Sequence, residues 1–275
     1  MECLICKSKA EFYFSKTYEE EPFKTFMNNI GEVKYYKCAN CGFTMSKTHY
    51  ELSFEKWDKL NLDYHTYSEE KKSKSQKRGE VNPPPYFNQA LMLKVLSQNK
   101  IIDTESILDF AGGYGTLSNI LDHYFDLTLP IYDPYMNKEN GRTYIPKESL
   151  KTYKTVINSA LFEHITTREG FNEINNLVSE NGCMIIHTVV GETVPQDENW
   201  FYIKIPVHCS FHTNKSMEIL MKQWDYESSL YCPPSKCWIL FKKTPENIES
   251  LIDNVNKEFQ TEYFVFKNGF VDYWK

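Results

Sequence analysis

Arginine is nearly absent from this chain. Of its 31 basic residues only Arg78, Arg142 and Arg168 carry a guanidinium, the planar fork best suited to phosphate and guanine contacts. Against 37 acidic residues the formal net charge is −6, a poor match for a protein that lives on a polyanion. Nucleic acid is therefore not the expected partner. No apolar run approaches the roughly 18 residues of a membrane-spanning helix, so no membrane span is expected. The first residues pass straight into Cys3 without the basic and then apolar pattern of a secretory leader. The expectation is a cytoplasmic chain with reduced thiols. There is also no internal repeat.

What is present allows one large domain and one small one. The chain has 275 residues, 41% of them hydrophobic and 15% aromatic, ample for a core. Its cysteines divide into two groups. Cys3-Leu-Ile-Cys6 and Cys38-Ala-Asn-Cys41 have the spacing at which both thiolates of a turn reach one metal, and two such knuckles close a tetrahedral four-sulfur shell. Gly42 suits the sharp turn leaving the second knuckle. Such a shell has no open position, so Cys3, Cys6, Cys38 and Cys41 are expected to hold a structural zinc ion. Cys183, Cys209, Cys232 and Cys237 lack metal spacing and read as plain thiols.

Strand-like segments at Glu11–Phe14 and Val33–Lys37 make residues 1–50 a zinc ribbon built from hairpins. Residues 51–85 read as a helical and basic linker: a short helix over Phe54–Leu62, the run Lys71-Lys72-Ser73-Lys74-Ser75-Gln76-Lys77-Arg78, and Asn82-Pro83-Pro84-Pro85, which forbids regular structure. The basic run reads as a solvated linker rather than a phosphate-binding strip. His65 also stands on this linker. Residues 86–243 form the expected catalytic domain, entered by a helix whose apolar repeat is Phe87, Leu91 and Val95. Residues 244–275 are a C-terminal helix and an aromatic tail.

From residue 105 strands and helices alternate. Expected strands are Glu105–Phe110, Leu127–Tyr132, Thr155–Ser159, Gly182–Val189 and Trp238–Phe241; expected helices are Thr116–Tyr124, Phe171–Leu177 and Ser216–Trp224. The pattern predicts an α/β fold, a mainly parallel sheet with helices on both faces. Ligands of such sheets sit at the carboxyl ends of the strands, where Gly113, Asp133 and Asn158 fall. The glycines of Leu108-Asp109-Phe110-Ala111-Gly112-Gly113-Tyr114-Gly115 let the backbone approach a ligand. Asp109 anchors the turn or meets a cationic amine through water. Asp133, 24 residues after Asp109 and closing the next strand, is placed to take both ribose hydroxyls of an adenosine.

These residues resemble the class I S-adenosylmethionine-dependent methyltransferases. The family's Asp-x-Gly-x-Gly-x-Gly is matched by Asp109, Gly113 and Gly115, with Ala111 in place of the first glycine. Leu161-Phe162-Glu163-His164-Ile165 matches the segment after the family's fourth strand. The resemblance covers roughly residues 86–243. It implies a seven-stranded Rossmann-like sheet, with S-adenosylmethionine held by Asp109, Ala111, Gly113, Gly115, Asp133, Asn158 and Ser159. A dinucleotide dehydrogenase is the competing reading, but its Gly-x-Gly order is missing.

The four-cysteine module in front resembles that of bacterial sugar and glycan methyltransferases. Members that methylate carbon of ketosugars carry Tyr-x-Glu-His after the fifth strand. Here the stretch is Ile205-Pro206-Val207-His208: the histidine survives, and the tyrosine and glutamate do not. Carbon as nucleophile needs several polar groups to hold an enolate, whereas methylation of a hydroxyl or amine requires positioning and one base. The expected reaction is methyl transfer to a hydroxyl, or an amine, of a sugar, nucleotide-sugar or surface-glycan precursor. His208 is the first candidate base, then His164 and His212. The other readings are a ribosomal-RNA methyltransferase with a zinc module, a ketosugar C-methyltransferase, and a non-catalytic cofactor-binding interaction protein.

Overall fold

The structure, a computed structural model, describes residues 1–74, 84–135 and 143–273, with side chains 69–74 excluded. In chain order the elements begin with β1 (Ala10–Lys16), α1 (Phe23–Met27), β2 (Val33–Cys38), β3 (Thr44–Ser46), α2 (Lys47–Tyr50) and α3 (Phe54–Lys74). They continue with α4 (Tyr86–Gln98), β4 (Ile107–Phe110), α5 (Thr116–Phe125), β5 (Ile131–Tyr132), β6 (Tyr153–Ser159), α6 (Arg168–Asn176) and β7 (Val178–His187). The last are β8 (Val190–Gly191), β9 (Ser210–Thr213), α7 (Asn214–Gln223), β10 (Ser228–Cys232), β11 (Cys237–Phe241), α8 (Ile248–Phe259) and β12 (Val265–Asn268). Among the described residues no helix is long and apolar enough to cross a membrane. Residues 75–83 and the side chains of Lys71–Lys74, and with them most of the basic run, lie outside the described residues, as do Arg142 and Trp274.

The chain forms two compact units. The first comprises Met1–Pro83, Glu163–Arg168 and Val189–Ser216. Its five-stranded sheet has the order β1-β2-β3-β9-β8. β1, β2, β3 and β9 pair antiparallel, and β8 pairs parallel with β9. The N-terminal ribbon is thus larger than residues 1–50. β3 would otherwise end the sheet as an open row of backbone donors and acceptors, and β9 satisfies it, with Met45 opposite Ser210. Glu163–Arg168 joins the same unit: Cys209 N donates to the Glu163 carbonyl at 2.7 Å, and Ser210 Oγ to the Ile165 carbonyl at 2.5 Å. The core draws on both sequence regions, with Tyr18, Tyr35 and Tyr64 packed among Tyr202, Val207 and Phe211. The expected boundary at residue 86 therefore does not separate the units cleanly, because 189–216 bury their apolar residues in this core.

The second unit comprises Pro84–Phe162, Glu169–Thr188 and Met217–Lys275. It is an α/β fold on a seven-stranded sheet in the order β12-β10-β11-β7-β6-β4-β5. β5, β4, β6 and β7 run parallel. β11, β10 and β12 complete the sheet with antiparallel pairings. The hairpin strand β10 and the edge strand β12 were not foreseen. The C-terminal segment is part of this unit, since Ile248, Ile252 and Val255 of α8 join its core. α4 buries Gln89, Ala90, Met92, Leu93, Val95 and Leu96, while Phe87 is 52% exposed. Of the apolar repeat expected from sequence, Val95 lies in the core and Leu91 packs against it, whereas Phe87 faces outward.

Candidate active site

In the second unit, β4 ends in the glycine turn that leads into α5. Ala111 N donates to the Tyr132 carbonyl at 2.7 Å, fixing the turn to β5. Ala111 has φ of 62°, Gly113 55° and Gly115 72°, the left-handed region that favours glycine. Ala111, standing where the first family glycine is expected, holds that conformation despite its methyl group. Gly112 is tight for a different reason: a Cβ there would stand 2.5 Å from Asp109 Oδ2. At Gly113 a Cβ would meet nothing within 4 Å, so this glycine leaves open space beside the turn.

Asp133 follows β5 and holds the turn. Its Oδ2 accepts from Gly113 N and its Oδ1 from Tyr135 N, both at 2.8 Å. Tyr144 supports the other side, its hydroxyl donating to the Gly113 carbonyl at 2.7 Å; nothing in the sequence reading pointed to this tyrosine. Asp109 is 2% exposed and its Oδ1 makes no hydrogen bond. Burial, reinforced by the charge of Asp133, raises its carboxyl to about 7.

At the end of β6, Asn158 Nδ2 donates to the Ile185 carbonyl at 3.2 Å, and its Oδ1 is buried without a partner. Ser159 Oγ donates to Gln89 Oε1 at 3.1 Å, and Gln89 Nε2 is likewise buried without a partner. Gln89 escaped sequence reasoning because a buried glutamine within an apolar helix has no motif. Ser159 is paired with His187 at the end of β7, where burial first and then Lys236 hold the imidazole down at about 4. The glycine turn, the acid closing β5 and the polar end of β6 thus come together within one unit. Beside them stand the open Cβ position of Gly113 and the unpartnered buried polar atoms of Asp109, Asn158 and Gln89.

In the first unit the four predicted cysteines converge. Cys3 and Cys41 Sγ lie 3.7 Å apart, Cys6 and Cys38 3.4 Å, and Cys6 and Cys41 3.6 Å. A tetrahedral zinc with Zn–S near 2.3 Å sets its sulfurs about 3.8 Å apart, so the donor set fits that ion. Ile5 N points at Cys3 Sγ at 3.4 Å, the amide-to-sulfur contact expected of a knuckle. The Cys3 thiol is drawn down to about 5, first by its hydrogen bond with Cys41, and the same bond pushes Cys41 up.

Two of the three candidate histidines also meet here. The rings of His164 and His208 are 4.9 Å apart, and that of His65 lies 5.1 Å from His164. Nδ1 of His208 is 2.7 Å from the Tyr202 carbonyl. Burial, and then the charge of His65, lowers His208 to about 3. Burial followed by His208 and His65 holds His164 well below the usual histidine range. His212 stands apart. It lies within β9 against the Phe43 ring, 4.9 Å between centroids, and burial holds it at about 3.

Four parallel strands extended by an antiparallel hairpin, with a glycine turn after β4 and an acid after β5, define a Rossmann-like methyltransferase fold. The methyltransferase-domain family matches residues 52–228. Among solved structures the chain is similar to the plantazolicin methyltransferase BpumL in complex with SAH, at 15% identity and a TM-score of 0.42, over 80% of this chain and 92% of that one. It is similar to the magnesium protoporphyrin IX methyltransferase ChlM from Synechocystis PCC 6803 with bound SAH, at 12% identity and a TM-score of 0.41, over 66% and 97%. It is also similar to coclaurine N-methyltransferase bound to N-methylheliamine and SAH, at 15% identity and a TM-score of 0.35, over 49% and 47%. No curated protein matches. The chain belongs to the methyltransferase-domain family and is an S-adenosylmethionine-dependent methyltransferase.

Proposed function

We propose that this enzyme transfers the methyl of S-adenosylmethionine to a hydroxyl, with an amine as the second choice, of a sugar or glycan precursor. The observation that carries the cofactor half is the clamp between Gly113 N and Asp133 Oδ2 at 2.8 Å. It sets an acid beside a turn whose Gly113 Cβ position is open. A carboxylate oxygen can accept more than one hydrogen bond, which suits Asp133 to a ribose hydroxyl in this reading. Asp109, Ala111, Gly115, Asn158 and Ser159 complete the cofactor's surroundings in this reading, and a zinc ion on Cys3, Cys6, Cys38 and Cys41 braces the first unit.

Three features support the acceptor half. The tyrosine and glutamate that would stabilise an enolate are replaced by Ile205 and Val207, and Val207 is fully buried. Net charge and arginine scarcity disfavour RNA. The four-cysteine module resembles that of sugar and glycan methyltransferases. Acceptor activation is assigned to His208 and its neighbour His164. His212 drops out, because its ring is committed to Phe43 inside the sheet.

The test is incubation of the purified chain and S-adenosylmethionine with a panel of nucleotide sugars and glycan precursors, read by mass spectrometry and proton–carbon correlation spectra. A new O-methyl or N-methyl signal supports the reading. A new carbon–carbon bond overturns the choice of acceptor atom, and methylation of RNA alone overturns the substrate class.

A further inference from the structure

Among the described residues, one group of side chains in the first unit besides the four-cysteine cluster has the composition of a metal site. Glu163, His164 and His208 each offer a donor atom, and the three donors lie within 4.8 Å of one another. Glu163 is 1% exposed and His208 4%.

The orientation of the imidazoles is as telling as their proximity. His208 Nδ1 is 2.7 Å from the Tyr202 carbonyl; with the proton on Nδ1, the Nε2 lone pair is free for a ligand. His164 is hydrogen-bonded by the backbone of Val207, and its Nδ1 is buried with no hydrogen-bond partner. A buried nitrogen without a partner is costly. A histidine tied to a carbonyl through one nitrogen, with the other free, is the arrangement in which backbone groups orient metal ligands. The backbone also fixes the triangle: Cys209 N holds the Glu163 carbonyl at 2.7 Å, one residue after His208.

We propose that Glu163, His164 and His208 bind a divalent first-row transition ion, separate from the ion of the four cysteines. Two imidazoles and one carboxylate suit zinc, iron(II), cobalt(II) or manganese(II) and disfavour calcium and magnesium, which prefer oxygen ligands. Bonds near 2.0–2.2 Å draw the donors closer than the 4.8 Å limit, a small side-chain rotation. Three protein ligands leave at least one position for water or a substrate oxygen, and a bound ion lowers the pKa of such an oxygen. The His65 ring lies 5.1 Å from that of His164.

Cobalt(II) titration of the metal-stripped full-length chain separates the two sites by spectrum. Cobalt on four thiolates gives intense sulfur-to-metal charge transfer, whereas cobalt on nitrogen and oxygen gives only weak visible bands. The wild type is expected to take up about two equivalents. Cys38→Ser should lose the charge-transfer band and keep the weak bands. Glu163→Gln and His208→Ala should lose the weak bands and keep charge transfer, which also reports that the first unit is folded. The proposal is overturned if the wild type shows no nitrogen-and-oxygen cobalt signal, or if both variants retain it in full. S-adenosylmethionine affinity measured on the same samples reports separately on the cofactor reading.

Discussion

Gly113 and Asp133 are joined by a 2.8 Å hydrogen bond from the glycine amide to the carboxylate, linking the turn after β4 to the end of β5. A charged acceptor on a backbone amide is worth about 1.5–3 kcal/mol, so this bond shapes the turn and presents the carboxylate to a ligand in one arrangement. Asp133→Ala should therefore weaken S-adenosylmethionine binding by roughly 10–100-fold, combining loss of the ribose acceptor with loosening of the turn. Calorimetric titration checks this, and unchanged affinity would remove Asp133 from the site.

Gly113→Val should abolish cofactor binding by a different route. A Cβ there meets no protein atom within 4 Å but must sit at the glycine φ of 55°, and the valine would fill the space assigned to the cofactor. A folded valine variant that binds as tightly as the wild type would show that the space serves something else.

At Ala111 the prediction runs toward greater stability. A non-glycine residue at φ 62° costs roughly 1–2 kcal/mol, part of which glycine returns through its looser unfolded chain. Ala111→Gly should stabilise the protein by roughly 0.5–1 kcal/mol in urea denaturation. A clear loss of stability would show that the methyl group packs favourably enough to outweigh the strain.

Asp109 predicts a pH dependence. Its carboxyl stands at about 7 in the folded chain against 3.8 for an ordinary aspartate, through burial and then Asp133. Folding therefore favours the protonated form. The contribution is fully present below about pH 4 and lost as pH rises through about 7, on the order of 2–4 kcal/mol. Stability of the cofactor-free chain measured by denaturation from pH 4 to 8 should fall less steeply in Asp109→Asn than in the wild type. Equal slopes would contradict the assignment.

Local motifs with their own chemistry were legible in the sequence. The glycine turn, the acid ending β5 and the two cysteine knuckles each need particular residue types at short spacing; the turn follows β4, Asp133 follows β5, and the four sulfurs converge. What could not be read depends on distant partners. Ser210–Thr213 looks like part of a loop until β3 is seen opposite it, with Met45 and Ser210 paired across 165 positions of chain. That pairing moves His212 into a sheet and brings His208 beside His164. Likewise β10 starts with two serines, which signal a strand only because all five of its residues are buried between β11 and β12. Glu163 was quoted as part of a motif and passed over as a ligand, since its proximity to His208 is a product of folding.

His208 is where the acceptor chemistry is most exposed to test. Substitution by alanine should lower turnover by about 10²–10⁴-fold, whether His208 takes the acceptor proton itself or serves only as a ligand of the proposed ion, and leave S-adenosylmethionine affinity nearly unchanged. Full activity on the true acceptor would reduce His208 to a packing role.

The central claim is that the second unit is a working S-adenosylmethionine site, and isothermal calorimetry on the purified chain tests it most directly. Saturable binding of S-adenosylmethionine and S-adenosylhomocysteine, with no heat from NAD under the same conditions, is the result expected. Binding of NAD with none of S-adenosylmethionine would contradict the account.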